Sequence, residues 1–211
     1  SGTAGVDAIN GGYGNDTLSG NDGNDYLYGM DGDDKISGDA GDDIVRGGTG
    51  NDELYGGTEN DSLRGDSGSD RLYGGAGNDT LDGGSEDDIL EGGAGDDSYI
   101  FSMGYGNDTV IDSSGIDRVK FDSMFPEDIV YEVDGVDLIA KIAVTGEKLR
   151  IKEYFKESTK RVESFEYSDG TLHSFADITG KIGAFFGSTG DDIVTTEKKL
   201  VVDYEGNNSI T

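Results

Sequence analysis

The chain has 211 residues, 45 of them acidic and 16 basic, for a net charge of −29. Such a field repels nucleic acid and anionic membrane, and a chain without cysteine has no disulfide, zinc-finger or thiol chemistry. No apolar run reaches the roughly 18 to 20 residues of a transmembrane span, and no charged-then-apolar leader opens the chain.

Charge and glycine are unevenly placed. Residues 1–111 hold 25 acids, 4 bases and 28 of the 37 glycines, whereas residues 112–211 hold 20 acids, 12 bases and 9 glycines. The sequence therefore divides into a repeat block at 1–111, a flanking domain at 112–186 and the start of a further, degenerate repeat block at 187–211. A first residue already inside a motif, with no initiator Met, predicts a piece of a longer protein.

From Gly2 the chain reads in nines, through units such as GGTGNDELY and GGAGNDTLD, for eleven units ending at Ile100. Position one is always Gly, and position eight is always apolar, from Ile9 and Leu18 to Leu90 and Tyr99. Position six is always Asp: Asp7, Asp16, Asp25, Asp34, Asp43, Asp52, Asp61, Asp70, Asp79, Asp88 and Asp97. After a two-residue shift at Phe101 and Ser102, MGYGNDTVI supplies a twelfth copy with Asp108 sixth.

Acidic, Gly-rich composition alone reads as disorder, but a linker has no reason to keep an acid at every sixth place and an apolar residue at every eighth. Collagen is excluded by the period and by the single proline, Pro126. An EF-hand loop is excluded because Lys35 stands where a ligand belongs after Asp31 and Asp33. Paired glycines permit tight turns with positive φ. The expected unit is a six-residue turn followed by a three-residue strand, polar, apolar, polar, whose middle residue points inward. Two units then close one 18-residue coil, and stacking coils places Asp25 near Asp7 and Asp43.

Carboxylates about 4.8 Å apart repel by about 3.5 kcal/mol at an effective dielectric of about 20, so a bare ladder should not form. A divalent cation between turns reverses that sign. Carboxylates together with backbone carbonyls near Gly11, Gly14, Gly20, Gly23, Gly29, Gly32, Gly38, Gly41, Gly47, Gly50, Gly65, Gly68, Gly74, Gly77, Gly92 and Gly95 suit calcium, a hard cation with flexible coordination. Eleven units stacked two apart make nine pairs, hence up to about nine or ten ions. Ordering some hundred Gly-rich residues outweighs what eleven inward side chains return, so the block is expected to be unfolded without the metal and folded with it.

These nonapeptides resemble the GGxGxDxUx repeats of RTX (repeats-in-toxin) proteins, a calcium-binding parallel β-helix signature. The resemblance implies an all-β protein, a parallel β-roll followed by a small, mostly-β capping domain with one short helix. It also implies a secreted, extracellular or cell-surface bacterial protein, toxin or adhesin, exported unfolded by type I secretion machinery and folding on external calcium. Glu59 and Glu86 depart from the pattern by replacing the fourth-position Gly, which puts a Cβ where positive φ is expected. Asn21, Met30, Asp39 and Asp66 replace the second Gly, read as the looser position. Tyr28, Tyr55 and Tyr73 occupy position nine; the last two should stack on one face, through strand packing or as a sugar platform.

Beyond Asp112, strands are expected at Arg118 to Phe121, Ile129 to Val133, Val136 to Val144, and Val162 to Tyr167, with turns at Asp134-Gly135 and Asp169-Gly170. In LRIKEYF, Leu149, Ile151 and Tyr154 or Phe155 should face inward. SFADITGKIGAFF predicts a helix with Ser174 as N-cap and Asp177 three residues on. EKLRIKEYF and VESFEYSDGT resemble the flank that follows RTX blocks in haemolysin-type calcium-binding proteins, which implies a cap on the open end of the roll. GSTGDDIVT, with Asp192 sixth and Val194 eighth, and DYEGNNSIT, with Asn208 in the acid's place, predict that repeats resume.

No catalytic constellation stands out: His173, the single histidine, has no zinc or nucleophile companions in sequence and is read as a surface or turn residue. The regular carboxylate spacing fits metal ladders better than paired acids for glycoside hydrolysis. The chain is therefore read as a non-enzymatic calcium module. The alternatives are a calcium-ordered module binding polysaccharide or a host cell surface, and a non-catalytic appendage of a secreted enzyme.

Overall fold

The structure, a computed structural model, describes residues 1–155 and 162–182 and four two-residue strands further on. Thirteen strands come in quick succession: β1 (Ala8–Tyr13), β2 (Thr17–Asp22), β3 (Tyr26–Asp31), β4 (Lys35–Ala40), β5 (Ile44–Thr49), β6 (Glu53–Thr58), β7 (Ser62–Ser67), β8 (Arg71–Ala76), β9 (Thr80–Ser85), β10 (Ile89–Ala94), β11 (Ser98–Ser102), β12 (Asn107–Ile111) and β13 (Asp117–Asp122). Odd-numbered strands pair in parallel with odd and even with even. The result is a parallel β-solenoid of about six turns between two sheets.

The expected proportions of turn and strand are reversed. Each strand from β1 to β10 is six residues long and runs from position seven of one unit through position three of the next, leaving three residues for the turn. The strand survives its glycines because pairing skips only position one: Ile9 pairs with Leu27, Asn10 with Tyr28, then Gly12 with Met30. Positive φ at position two bends the strand without costing it the ladder.

Position eight behaves as its alternation requires. Leu27, Ile36, Val45, Leu54, Leu72, Leu81 and Leu90 are fully buried, and Tyr99 and Val110 extend the same file. Since each unit contributes one inward residue, the core is a thin seam between two sheets.

The nine-residue spelling fades near Ile111, but the parallel pairing does not. β11 pairs with β13 in parallel, β13 with β17 (Val162–Tyr167), and β12 with β16 (Lys148–Ile151). Antiparallel strands then finish both sheets. β14 (Ile129–Asp134) and β15 (Asp137–Ile142) extend one through β16, and β18 (Leu172–Ser174) ends the other beside β17. Fully buried Phe101, Tyr154, Phe155 and Phe165, with Phe121, form the aromatic core of this end; Phe121 stacks on Phe165 at 6.1 Å.

The short helix α1 (Phe175–Ile182) forms where its signals place it. Ser174 N–H donates to Asp177 Oδ2 at 2.8 Å, and Asp177 N–H donates to Ser174 Oγ at 3.4 Å, a reciprocal cap. Past it, Phe185–Phe186 pairs in parallel with Val201–Val202, and Ile193–Val194 with Ser209–Ile210. Asp192 and Asn208, on which the expected return of the repeats depends, lie outside the described residues.

Candidate metal centre

Each of the eleven position-six aspartates from Asp7 to Asp97 sits in the turn before its strand, and its backbone links the coils on either side. Its N–H donates to Oδ1 of the Asp one coil later: Asp25 to Asp43 at 2.7 Å, Asp34 to Asp52 at 2.7 Å, Asp61 to Asp79 at 2.8 Å. Its carbonyl accepts from position seven of the coil above, as Asp34 does from Glu53 at 2.8 Å. The eleven repeat aspartates and Asp108 thus form two files, one along each edge of the solenoid. Asp7 and Asp16, at the N-terminal end, are less covered; Thr3 N–H and Oγ donate to Asp7 and hold its carboxyl below the usual range. From Asp25 to Asp108 every member is buried.

Position five, which the sequence reading did not use, adds an opposed ladder. Its Asn or Asp side chain accepts from the position-five N–H one coil later: Asn15 from Asp33 at 3.0 Å, Asp33 from Asn51 at 2.8 Å, Asn60 from Asn78 at 2.9 Å. The turns are therefore stapled in both directions along the axis. Only one oxygen of each position-six carboxylate is used.

The other oxygen carries the functional argument. Oδ2 of Asp16, Asp25, Asp34, Asp43, Asp52, Asp61, Asp70, Asp79, Asp88, Asp97 and Asp108 is buried with no hydrogen-bond partner. A file of buried, partnerless carboxylate oxygens is untenable in a folded protein unless they meet protons or cations. The backbone supplies further donors beside them. A methyl group at Gly20 would lie 2.6 Å from the Gly38 carbonyl oxygen and closer still to Asp25 Oδ2. Gly11, Gly29, Gly38, Gly56 and Gly74 repeat the arrangement with the next coil's glycine carbonyl. Position one is glycine because a carboxylate oxygen and a carbonyl oxygen converge where any Cβ would stand. These all-oxygen donors fit calcium.

Electrostatics agree. Burial, opposed by the N–H from the preceding coil and reinforced by neighbouring carboxylates, pushes Asp43 and Asp52 up to about 6. It pushes Asp61, Asp70 and Asp88 up to about 8, and Asp97 and Asp108 up to about 7. These groups resist ionisation unless positive charge is at hand.

At position four, Gly23, Gly32, Gly41, Gly50, Gly68, Gly77 and Gly95 have φ between 118° and 140°. Glu59 and Glu86 keep the left-handed turn at φ 74° and 83°, and Glu59 also accepts from Gly41 N–H at 3.0 Å. Position two is no looser: Asn21, Met30, Asp39 and Asp66 have φ of 75°, 87°, 78° and 77°. The difference between the two positions expected from sequence is therefore absent.

Three acidic residues escaped the sequence reading. Asp97 N–H donates to Asp117 Oδ1 at 2.7 Å, and Asp117 N–H donates to Glu163 Oε2 at 2.7 Å. Asp117 thus extends one file and Glu163 ends it, while Asp112 is buried between Tyr99 and Asp117. The signal for Asp117 was present, since DSSGIDRVK places Gly115 fourth, Asp117 sixth and Val119 eighth; the change of coil spacing from 18 to 20 residues hid it.

Tyr55 and Tyr73 do stack, with centroids 4.9 Å apart and planes 12° apart; Tyr28 lies on the opposite sheet, in β3. His173 is not a plain surface residue: its Nδ1 lies 2.9 Å from Tyr167 Oη and burial lowers its pKa. Among the described residues no helix is long and apolar enough to cross a membrane.

Comparison with known proteins agrees with this construction. The RTX calcium-binding nonapeptide repeat (4 copies) matches residues 1–36, 28–63 and 64–99, and the haemolysin-type calcium binding protein related domain matches residues 137–177. No curated protein matches significantly. Among solved structures, the extracellular lipase LipA from Serratia marcescens matches with 21% identity over 71% of this chain, at a TM-score of 0.29. The chain spans 36% of that lipase's length. Repeat block and flank together place the chain in the family of RTX haemolysin-type calcium-binding nonapeptide repeat proteins.

Proposed function

We propose that this chain is a non-enzymatic, calcium-folded module of a secreted bacterial protein, exported unfolded through type I secretion machinery and folding outside the cell. The observation that carries the reading is the continuous run of buried Oδ2 atoms without partners, each from Asp16 to Asp97 beside a glycine whose Cβ would block it. The holding residues are the position-six aspartates and the position-one glycine carbonyls. Bound calcium supplies the positive charge that a file of parallel carboxylates lacks.

The chain's own residues do the rest. Backbone N–H groups orient each Oδ1, the opposed position-five ladder fixes the turn, and the position-eight file closes the seam behind it. In a medium poor in calcium, the charge concentrated in residues 1–111 favours an expanded chain; in a calcium-rich one, binding energy becomes folding energy. The parent protein's role, toxin or adhesin, lies outside these residues. Tyr55 and Tyr73 turn faces to each other and Lys35 Nζ lies 4.7 Å from the Tyr55 ring centroid, which weighs against a sugar platform.

The test is far-UV circular dichroism of the 211-residue chain during calcium titration, with magnesium alongside. A steep coil-to-β transition in calcium alone is expected. A chain fully folded in chelator refutes the reading.

A further inference from the structure

At the C-terminal end of one file the regular construction changes. In a regular coil the space beside a position-one glycine holds one Asp Oδ2 and the next coil's glycine carbonyl. Beside Gly92 the second place is taken by Tyr99 Oη, and the residue one coil on is Asp112 rather than glycine. That register is fixed by the parallel bridge between Ala94 and Ser114 and by Ser113 Oγ donating to the Gly93 carbonyl.

Asp112 therefore brings a whole carboxylate to where its predecessors offer a carbonyl. Each of Asp97, Asp112 and Asp117 presents an oxygen within 4.8 Å of the other two, twice a calcium–oxygen distance of about 2.4 Å. All three residues are more than nine-tenths buried, at 1%, 8% and 0% exposure. In each, Oδ2 has no hydrogen-bond partner. The remaining oxygens are occupied: Asp97 N–H donates to Asp117 Oδ1, and Tyr99 Oη donates to Asp112 Oδ1 at 3.2 Å while accepting from Gly92 N–H at 3.0 Å. Tyr99, itself fully buried, closes the site from the core side. The three oxygens converge, and no Lys or Arg is paired with them among the described ion pairs; what holds them together is either a cation or a proton shared between Asp112 and Asp117.

We propose that Asp97, Asp112 and Asp117 form a separate three-carboxylate calcium site at the last regular coil, distinct from the carboxylate-and-carbonyl sites of the repeats. Its three formal negative charges favour a hard cation of high charge, so it takes calcium, and trivalent lanthanides more tightly still. Tyr99 is a positioning residue that orients Asp112. The proposal rests on the calcium reading of the ladder, and the experiment separates the two.

Calcium bound per chain is counted by equilibrium dialysis at saturation for the wild type, Asp112→Asn and Asp52→Asn, each checked for a β spectrum. Asp112→Asn is expected to bind one ion fewer than wild type. In parallel, terbium is titrated while tyrosine is excited; Tyr99→Phe should keep the ion count and lose the tightest-filling part of the emission. If Asp112→Asn binds as many ions as wild type while Asp52→Asn loses one, this site is refuted and the ladder stands, with a shared proton between Asp112 and Asp117 in the cation's place. Unchanged terbium emission in Tyr99→Phe also refutes it. A wild type that binds no calcium overturns both readings.

Discussion

Gly38→Ala isolates what the position-one glycine does. Gly38 needs no positive φ, so alanine meets no backbone penalty; the cost arises from what the new methyl meets. It would lie 2.7 Å from the Gly56 carbonyl oxygen and 2.8 Å from Asp43 Cγ, with Asp43 Oδ2 nearer still. None of these is the loose end of a flexible side chain, so the coil spacing must give. Overpacking of one methyl costs about 1–3 kcal/mol. With a urea m-value of about 2 kcal/mol/M, a cost of about 2 kcal/mol lowers the urea midpoint by about 1 M at saturating calcium. The calcium midpoint is the poorer readout: about 30-fold in the folding constant, divided among about nine cooperative ions, shifts it less than about twofold. Gly5→Ala is the control, because nothing lies within 4 Å of its Cβ; it should be neutral or slightly stabilising. Equal urea midpoints for the two variants would refute the claim that position one is reserved for oxygen donors.

Phe165→Ala empties the centre of the cap, where Phe165 is fully buried against Phe121, Tyr131 and Tyr154. It should cost about 3–5 kcal/mol and broaden the calcium transition seen by circular dichroism; an unchanged transition argues against capping. Met30→Gly relieves a left-handed residue at φ 87° whose side chain is exposed. It should raise the urea midpoint by about 0.5 M for about 1 kcal/mol, and a fall in midpoint contradicts the strain. The ladder carboxyls are raised to between about 6 and about 8 in the metal-free fold. Their contribution to that fold is complete below the ordinary carboxyl range and is lost progressively as pH rises from that range through the raised values, to about 8. Since calcium must displace those protons, the calcium midpoint should be higher at pH 6 than at pH 8, with protons released on binding; a pH-independent midpoint refutes it.

Much of this construction is legible in one sequence because each repeat position has a single physical duty. Gly at position one, Asp at six and an apolar residue at eight report the donor pocket, the file and the seam. Position two misled because non-glycine residues there suggest freedom, whereas Met30 and Asp66 are strained into the same conformation as the glycines they replace. The strand length was misjudged because glycine pairs read as turns, yet Gly12 pairs within a parallel ladder. The cap's strands were readable as alternating runs, but their partners were not: nothing local says that Val119 pairs with Phe165, more than 40 residues on. Asp112 was passed over because it breaks the spelling at the one place where the break has a chemical use.

Alternate nonapeptides belong to opposite sheets, and this fixes the arithmetic by which such a chain can change length. Deleting eighteen residues from the middle removes one whole turn and returns every later strand to its own side, so β16 and β17 still find the strands they terminate. Deleting nine exchanges the sides of everything that follows, yet β12 and β13 travel with the strands that finish them, so β16 and β17 keep their own partners and the roll is shorter by half a turn. Length is thus variable in steps of one repeat, half a turn at a time, whereas width, set by one inward residue per unit, is not variable at all.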